Sequence, residues 1–194
     1  MKRSLGSKKI KTAVFISGTG TNLKNLIKFS FLRNSPIQIN LIISNESKAK
    51  GLNFAVKYKI KKKTYVFKIR KNAEKKILRD LKKNKIKLIC LAGFMIILSK
   101  NFIKKFNGKI LNIHPSLLPK YKGLNTHQRA LKNKEKFSGC TVHFVSSKLD
   151  SGKVILKKKV RIFKNDTVKS LKKRVLKQEH ILYPKAINKV YSNL

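Results

Sequence analysis

The chain is poor in acid. Its 194 residues hold 7 aspartates and glutamates against 49 lysines and arginines, a formal net charge of +42. An excess of that size raises the prospect of a polyanionic partner. A second scarcity weakens that prospect. Only seven of the cations are arginine (Arg3, Arg33, Arg70, Arg79, Arg129, Arg161 and Arg174), and arginine is the better bidentate reader of phosphates and bases. The lysines also run the whole length, Lys71–Lys85 and Lys169–Lys177 included, instead of gathering in one arm. With Gly and Pro few and Ile and Asn plentiful, the excess reads as drift toward AAA, AAT and ATA codons. Non-specific RNA adhesion is then a side effect, and no specific nucleic-acid partner is expected.

Cysteine is scarce too. Cys90 and Cys140 sit in the apolar segments LICLAG and GCTVHFV, and neither has CxxC or Cys/His spacing for a metal. Both read as reduced core thiols, which favours a cytoplasmic setting and no metal. No apolar run reaches membrane-spanning length, so no membrane partner is expected. The basic start, MKRSLGSKKIK, is not followed by a long apolar stretch, so a secretory signal is not expected. An apolar fraction of 41% over this length is enough for one sizeable core.

What is present alternates. Thr12–Ile16 (TAVFI) reads as a buried strand, SGTGTN follows at once, and Leu23–Phe31 has helical apolar spacing. Ile37–Ser44 reads as a strand, Lys48–Tyr58 as a helix, Lys63–Phe67 as a short strand and Asn72–Asn84 as a helix. Leu88–Ala92 is apolar throughout, as a strand buried on both faces requires. Ser99 is placed to cap a helix over Lys100–Phe106, and Lys109–His114 closes the series as a strand. Gly139–Val145 and Val154–Ile162 then read as strands joined through a turn at Asp150–Gly152. A last helix spans roughly Val168–Val190, interrupted near Pro184. The expectation is a single-domain α/β fold: a mostly parallel, doubly wound, Rossmann-like sheet with a C-terminal antiparallel extension and a terminal helix. Residues 1–11 would be a basic extension, 12–114 a nucleotide-binding-like half and 115–194 the half that binds the co-substrate and carries catalysis.

The chemistry concentrates in ILNIHPSLLPKYKG, Ile110–Gly123. On a strand, residues two apart face the same way, so Asn112 and His114 would project together from one strand end. Pro115 and Pro119 end the strand and stiffen the loop after it. A carboxamide donor beside an imidazole suits acyl transfer to an amine, which needs an oxyanion held and a proton managed. A satisfied strand-end histidine and a turn-forming asparagine fit the same residues, and these two positions alone do not decide. Asp150, one of three aspartates, sits in the polar segment SSKLDSGK. Near His114 its carboxylate would favour the imidazolium and fix the ring; alone, Asp-Ser-Gly is an ordinary turn. Gly18 and Gly20 in SGTGTN let backbone N–H groups approach an anion at a helix start, but neither a Walker loop nor GxGxxG is present. Glu179, in KQEHILYP, either faces a ligand or pairs with nearby lysines. His127, His143 and His180 read as structural.

Together these segments resemble the phosphoribosylglycinamide formyltransferases, a branch of the folate-dependent formyltransferases. The likeness lies in SGTGTNLKNLI, LAGFMIILS, NIHPSLLPKYKGLNTHQRAL, GCTVHFVSSKLDSGKVILKKKV and QEHILYP, in order along nearly the whole chain. NIHPSLLP is shared by several folate-dependent formyltransferases; KYKGLNTH with QRAL points to the glycinamide ribonucleotide branch. The RGAAP-like loop and added C-terminal domain of the tRNA branch are not seen. The resemblance implies formyl transfer from 10-formyltetrahydrofolate to the amine of glycinamide ribonucleotide in purine (IMP) biosynthesis, without a metal, by a monomer or homodimer.

By position, the resemblance makes Asn112, His114 and Asp150 the catalytic trio. Asn112 would donate to the formyl oxygen, His114 would assist charge and proton, and Asp150 would raise the histidine's pKa and help position a water. Gly20, Thr21 and Asn22 would grip the substrate phosphate, and Glu179 would contact the ribonucleotide. Met95, Ile96, Ile97 and Leu98, with Asn112, would line the folate pocket, and Arg70 would contact the folate. Leu118–Pro119 would be cis. Three positions depart from the pattern: Ile96 for arginine, Lys122 for proline and Asn125 for histidine. The tail after the last helix is shorter than in many members. Two further readings stay open: another formyl acceptor, such as a tRNA or a sugar-nucleotide amine, and a nucleic-acid-binding protein that has kept the fold without catalysis. The spread of the lysines and the lack of an aromatic stacking platform weigh against the latter.

Overall fold

The computed structural model describes residues 9–191. One seven-stranded sheet runs β1 (Ile10–Ile16), β2 (Ile37–Ser44), β3 (Lys61–Thr64), β4 (Leu88–Leu91), β5 (Lys109–His114), β6 (Phe137–Phe144) and β7 (Val154–Arg161) along the chain. Its spatial order is β3-β2-β1-β4-β5-β6-β7. The first five strands are mutually parallel, and β6 and β7 are added antiparallel. The helices are α1 (Thr21–Phe31), α2 (Leu52–Lys57), α3 (Arg70–Lys83), α4 (Lys100–Lys105), α5 (Thr126–Lys132) and α6 (Val168–Tyr191). This is the expected α/β architecture.

The period of two along β1 builds two core layers. Val14 and Ile16 face α1 and α6, joining Leu23, Leu26, Ile27, Leu171, Val175 and Ile187. Ala13 and Phe15 face α3 and α4, joining Ile77, Leu81 and Phe102. Each fully buried side chain of this size contributes roughly 1.5–3 kcal/mol relative to exposure, so covering both faces is what keeps the central strands parallel and apolar. The chain leaves β1 for β2 and β3, then crosses back to β4, which makes the C-terminal ends of β1 and β4 the switch point where such sheets bind ligands.

Lys9 caps this frame: its Nζ donates to the Ser30 and Leu32 carbonyls at 2.9 and 2.7 Å, at the negative end of α1. Residues 1–8 of the expected basic extension lie outside the described residues, as do 192–194; Ile10 and Lys11 already belong to β1.

The last helix corrects one expectation. It is continuous through Pro184. Proline has no N–H to offer the carbonyl four residues back, which is that of His180. Asn25 of α1 supplies the missing donor, its Nδ2 lying 2.6 Å from the His180 oxygen. A side chain from a neighbouring helix thus replaces the bond that would otherwise break α6. Two other elements shift. Helix α2 starts at Leu52, not Lys48, because the Gly51 N–H is committed to the Gly18 carbonyl at 2.9 Å. Strand β3 uses Lys61–Thr64, since Tyr65 and Phe67 leave the sheet to pack into the second core layer. Helix α5 has only Thr126 and Ala130 buried, one turn apart, and too little apolar period to show in the sequence.

Candidate active site

Strand β5 ends in the expected pair. Asn112 and His114 share a face, and β6 runs antiparallel beside them with His143 opposite Asn112 and Thr141 opposite His114. Asp150 arrives from the β6–β7 connection with a left-handed backbone, φ 46°. That turn is tight: a Cβ on Gly152 would lie 1.7 Å from the Phe144 carbonyl, so only glycine fits there. The result brings Asp150 Oδ2 to 3.4 Å from His114 Nδ1, both side chains buried. The Gly123 N–H donates to the same Oδ2 at 2.9 Å. The Pro115–Pro119 stretch is pinned from below, the Thr141 hydroxyl donating to the Ser116 carbonyl at 2.7 Å and accepting from the Leu118 N–H at 3.1 Å. The Leu118–Pro119 bond is cis.

The hydrogen bonds orient both rings. His114 Nε2 lies 2.8 Å from the Tyr121 carbonyl, which only accepts, so Nε2 carries a hydrogen and Nδ1 turns to Asp150. His143 Nδ1 lies 2.8 Å from the Phe144 carbonyl, and its Nε2 lies between Asn112 Nδ2 at 3.2 Å and Asp150 Oδ1 at 3.6 Å. The contact with Asn112 sets the orientation of that amide and leaves its second N–H free. His143, which reads as structural in the sequence, is therefore a positioning residue at the site. The signal that marks it is its register opposite Asn112, which no single strand reveals.

Burial is the largest influence on His114 and lowers its pKa; the Tyr121 carbonyl and the Asp150 charge pull upward without overcoming it. The expectation that Asp150 raises the histidine holds for that one interaction and not for the net. Asp150 itself is held below the usual carboxylate range: burial raises it, but His143, the Gly123 N–H and the charge of His114 together outweigh burial. The pair sets Nδ1 of His114 against the Asp150 carboxylate. A proton arriving at Nδ1 gains a charged partner at once.

These groups open onto a cleft of about 770 Å³, within the range of small-molecule sites. The glycine turn forms one wall. Gly20, the N-cap of α1, has φ 72°, and a Cβ there would lie 2.7 Å from Gly51 Cα, so glycine is needed for both reasons. Thr21 and Asn22 follow it into the cleft, and Asn22 Nδ2 donates to Glu179 Oε2 at 2.6 Å. Glu179 is buried, which raises its pKa against the opposing pull of Asn22 and Lys172. His127 also lines the cleft; burial, then the Lys172 charge, lowers its pKa to about 4. Met95, Ile96, Ile97 and Leu98 form another wall, with Met95 and Ile97 exposed at the rim beside Leu124 and Leu149. Ser17 ties the two walls, its N–H donating to the Gly93 carbonyl at 3.0 Å and its hydroxyl accepting from the Met95 N–H at 2.8 Å. Arg70, the expected folate contact, is exposed at the start of α3 and does not line the cleft. Among the described residues no group of three or more His, Cys, Asp or Glu is arranged to hold a metal ion.

With this geometry in place, comparison with known proteins is decisive. The formyl transferase family model matches residues 10–187. The chain belongs to the formyl transferase family. Among curated relatives, this formyl transferase is 42% identical to the phosphoribosylglycinamide formyltransferase of Haemophilus influenzae, over 91% of this chain and 85% of that protein. It is 44% identical to the human trifunctional purine biosynthetic protein adenosine-3, over 97% of this chain but 19% of that protein. The chain thus spans between 14% and 19% of the length of these trifunctional relatives. Its fold superimposes on the phosphoribosylglycinamide formyltransferase of Brucella melitensis with a TM-score of 0.90 at 41% identity, covering 94% of this chain and 96% of that one. Asn112, His114, Asp150, the Gly20–Asn22 turn and the 95–98 wall therefore lie in the region that the formyl transferase model matches.

Proposed function

We propose that this formyl transferase moves the formyl group of 10-formyltetrahydrofolate to the amine of 5′-phosphoribosylglycinamide in purine biosynthesis. The observation that carries the reading is the meeting of Asn112, His114 and Asp150 at the cleft, 3.4 Å separating the last two. In this reading Asn112 donates its free N–H to the formyl oxygen as it gains negative charge, while His143 holds the amide in place. The substrate oxygen competes with the Tyr121 carbonyl for the N–H of His114. A bond forms from the amine nitrogen to the formyl carbon and the bond to N10 of the folate breaks. The proton shed by the amine ends on N10, with His114 and Asp150 able to carry it between. Oriented donors of this kind typically supply ~10²–10³ in rate each.

Gly20, Thr21, Asn22 and Glu179 hold the phosphate and ribose end of the acceptor. Met95, Ile96, Ile97 and Leu98, together with Asn112, flank the folate, whose flat apolar body suits the exposed rim. Arg70 meets the folate's charged tail outside the cleft. Ile96, lacking an arginine's charge, leaves that tail with one cation fewer. Among the described residues no helix is long and apolar enough to cross a membrane. We place the protein in the cytoplasm, in keeping with the two free buried thiols of Cys90 and Cys140, acting on small molecules as a monomer or homodimer. The test is a formyl-transfer assay against a panel of acceptors: the ribonucleotide, an initiator tRNA and a sugar-nucleotide amine. Turnover with the ribonucleotide supports the reading, and turnover confined to either of the others refutes it.

A further inference from the structure

Among the described residues, only two of the chain's lysines and arginines line the cleft, Lys148 and Lys172. Lys172 belongs to α6, seven residues before Glu179. Seven residues make nearly two turns, so both side chains leave the same face about 10 Å apart along the axis, with Leu176 between them. Lys172 is exposed and forms no ion pair among the described residues. It lines the same cleft as Thr21 and Asn22 of α1, and Glu179, on its own face of α6, already bonds Asn22; its charge bears on both His127 and Glu179.

That part of the cleft has no side-chain positive charge from α1. The first turn of α1 carries no acidic residue and no side-chain cap, and its leading N–H groups have no helical acceptor. Asn22 is buried there with Oδ1 unpartnered. A phosphate monoester carries ≈ −1.5 to −2 charges at pH 7, whereas a helix end offers roughly +0.5. Glu179 adds none of the missing positive charge.

We propose that Lys172 is the cationic half of the phosphate site, closing over a sugar phosphate seated on the first turn of α1. The inference deepens the proposed function by giving this chain its own charge-bearing recognition residue for the ribonucleotide's phosphate. The experiment uses ribose 5-phosphate as probe, by calorimetry on the full chain, alongside steady-state kinetics. Lys172→Ala is expected to weaken ribose 5-phosphate binding and to raise KM for the ribonucleotide by about 10- to 100-fold, the range of a charge-assisted hydrogen bond. The turnover number and the KM for the folate donor stay near native, and Lys172→Arg recovers most of the affinity. Lys173→Ala, exposed and outside the cleft, changes neither. With the dephosphorylated acceptor, Lys172→Ala has no effect. Native protein that does not bind ribose 5-phosphate, unchanged binding in Lys172→Ala, or an equal loss with the dephosphorylated acceptor overturns the proposal. Native protein that binds the sugar phosphate through Lys172 and formylates nothing leaves this site standing and removes the proposed reaction instead.

Discussion

The Asn25–Pro184 pairing gives the sharpest stability prediction. Asn25→Ala deletes the donor to the His180 carbonyl, a bond of 2.6 Å between half-buried groups of α1 and α6. Pro184 offers no N–H in its place, so the carbonyl is left without a protein donor. Leaving such a group unsatisfied costs about 1–3 kcal/mol, and water reaching this partly exposed site holds the figure to about 1–2. For a chain of this size each kcal/mol lowers the melting temperature by roughly 2–4 °C. The double mutant supplies the control. Pro184→Ala restores the helical N–H, which then serves the same carbonyl, so Asn25→Ala costs less in that background by about 1 kcal/mol. Urea unfolding followed by circular dichroism on all four proteins measures the coupling, with equal m-values confirming a common unfolded reference. Equal costs of Asn25→Ala in the two backgrounds would refute the idea that the asparagine replaces the missing helical bond. The consequence reaches the site, because Asn22 and Glu179 are joined by the same helix pair.

Other outcomes concern the site. Asn112→Ala and His114→Ala keep native circular dichroism and lose ~10²–10³ in turnover; near-native rates in either contradict the assigned roles. His143→Phe frees the Asn112 amide to rotate and lowers turnover by about tenfold, with no change in the KM for the acceptor. Ser17→Ala cuts the contact between the glycine turn and the Met95 backbone, raising the KM for the folate donor while the fold persists. The pH dependence has a definite sign. Burial, the leading cause in each, sets His127 at about 4 and lowers His114 and His180. The unfolded chain, with histidine near 6.5, therefore binds more protons between about 4 and 6.5. Stability is full above about 6.5 and falls as pH drops through that window. Urea midpoints that rise on acidification from pH 7 to 5 would contradict the burial of these imidazoles.

Much of the fold is legible in the sequence because its central strands must be apolar on both sides. Ile37–Ser44 and Lys109–His114 can be read to the residue, and Ser99 caps α4 as expected, its hydroxyl accepting from the Phe102 N–H at 3.0 Å. What escapes is set by contacts distant in the chain. Pro184 reads as a break because the donor that replaces its N–H lies 155 residues upstream of the His180 carbonyl it serves. Lys61–Thr64 has no apolar alternation and forms a strand only because β2 offers a free edge. The site divides in the same way. The shared face of Asn112 and His114 is visible from their spacing, but it is the family likeness that singles them out together with Asp150. The place of His143 depends on the pairing of β5 with β6, and the net fall in the His114 pKa depends on how deeply the ring is buried. Neither is written in any local motif.

The central claim is that a carboxylate delivered by the β6–β7 turn powers the imidazole on β5. Asp150→Asn is nearly isosteric, and asparagine tolerates the left-handed backbone found there. The direct measurement is formation of formylated ribonucleotide from 10-formyltetrahydrofolate, with native and Asp150→Asn proteins compared side by side at equal folded concentration. The account predicts steady product from the native chain and a fall of at least about 100-fold in the variant. Equal rates in the two, or no product from the native chain, would contradict it.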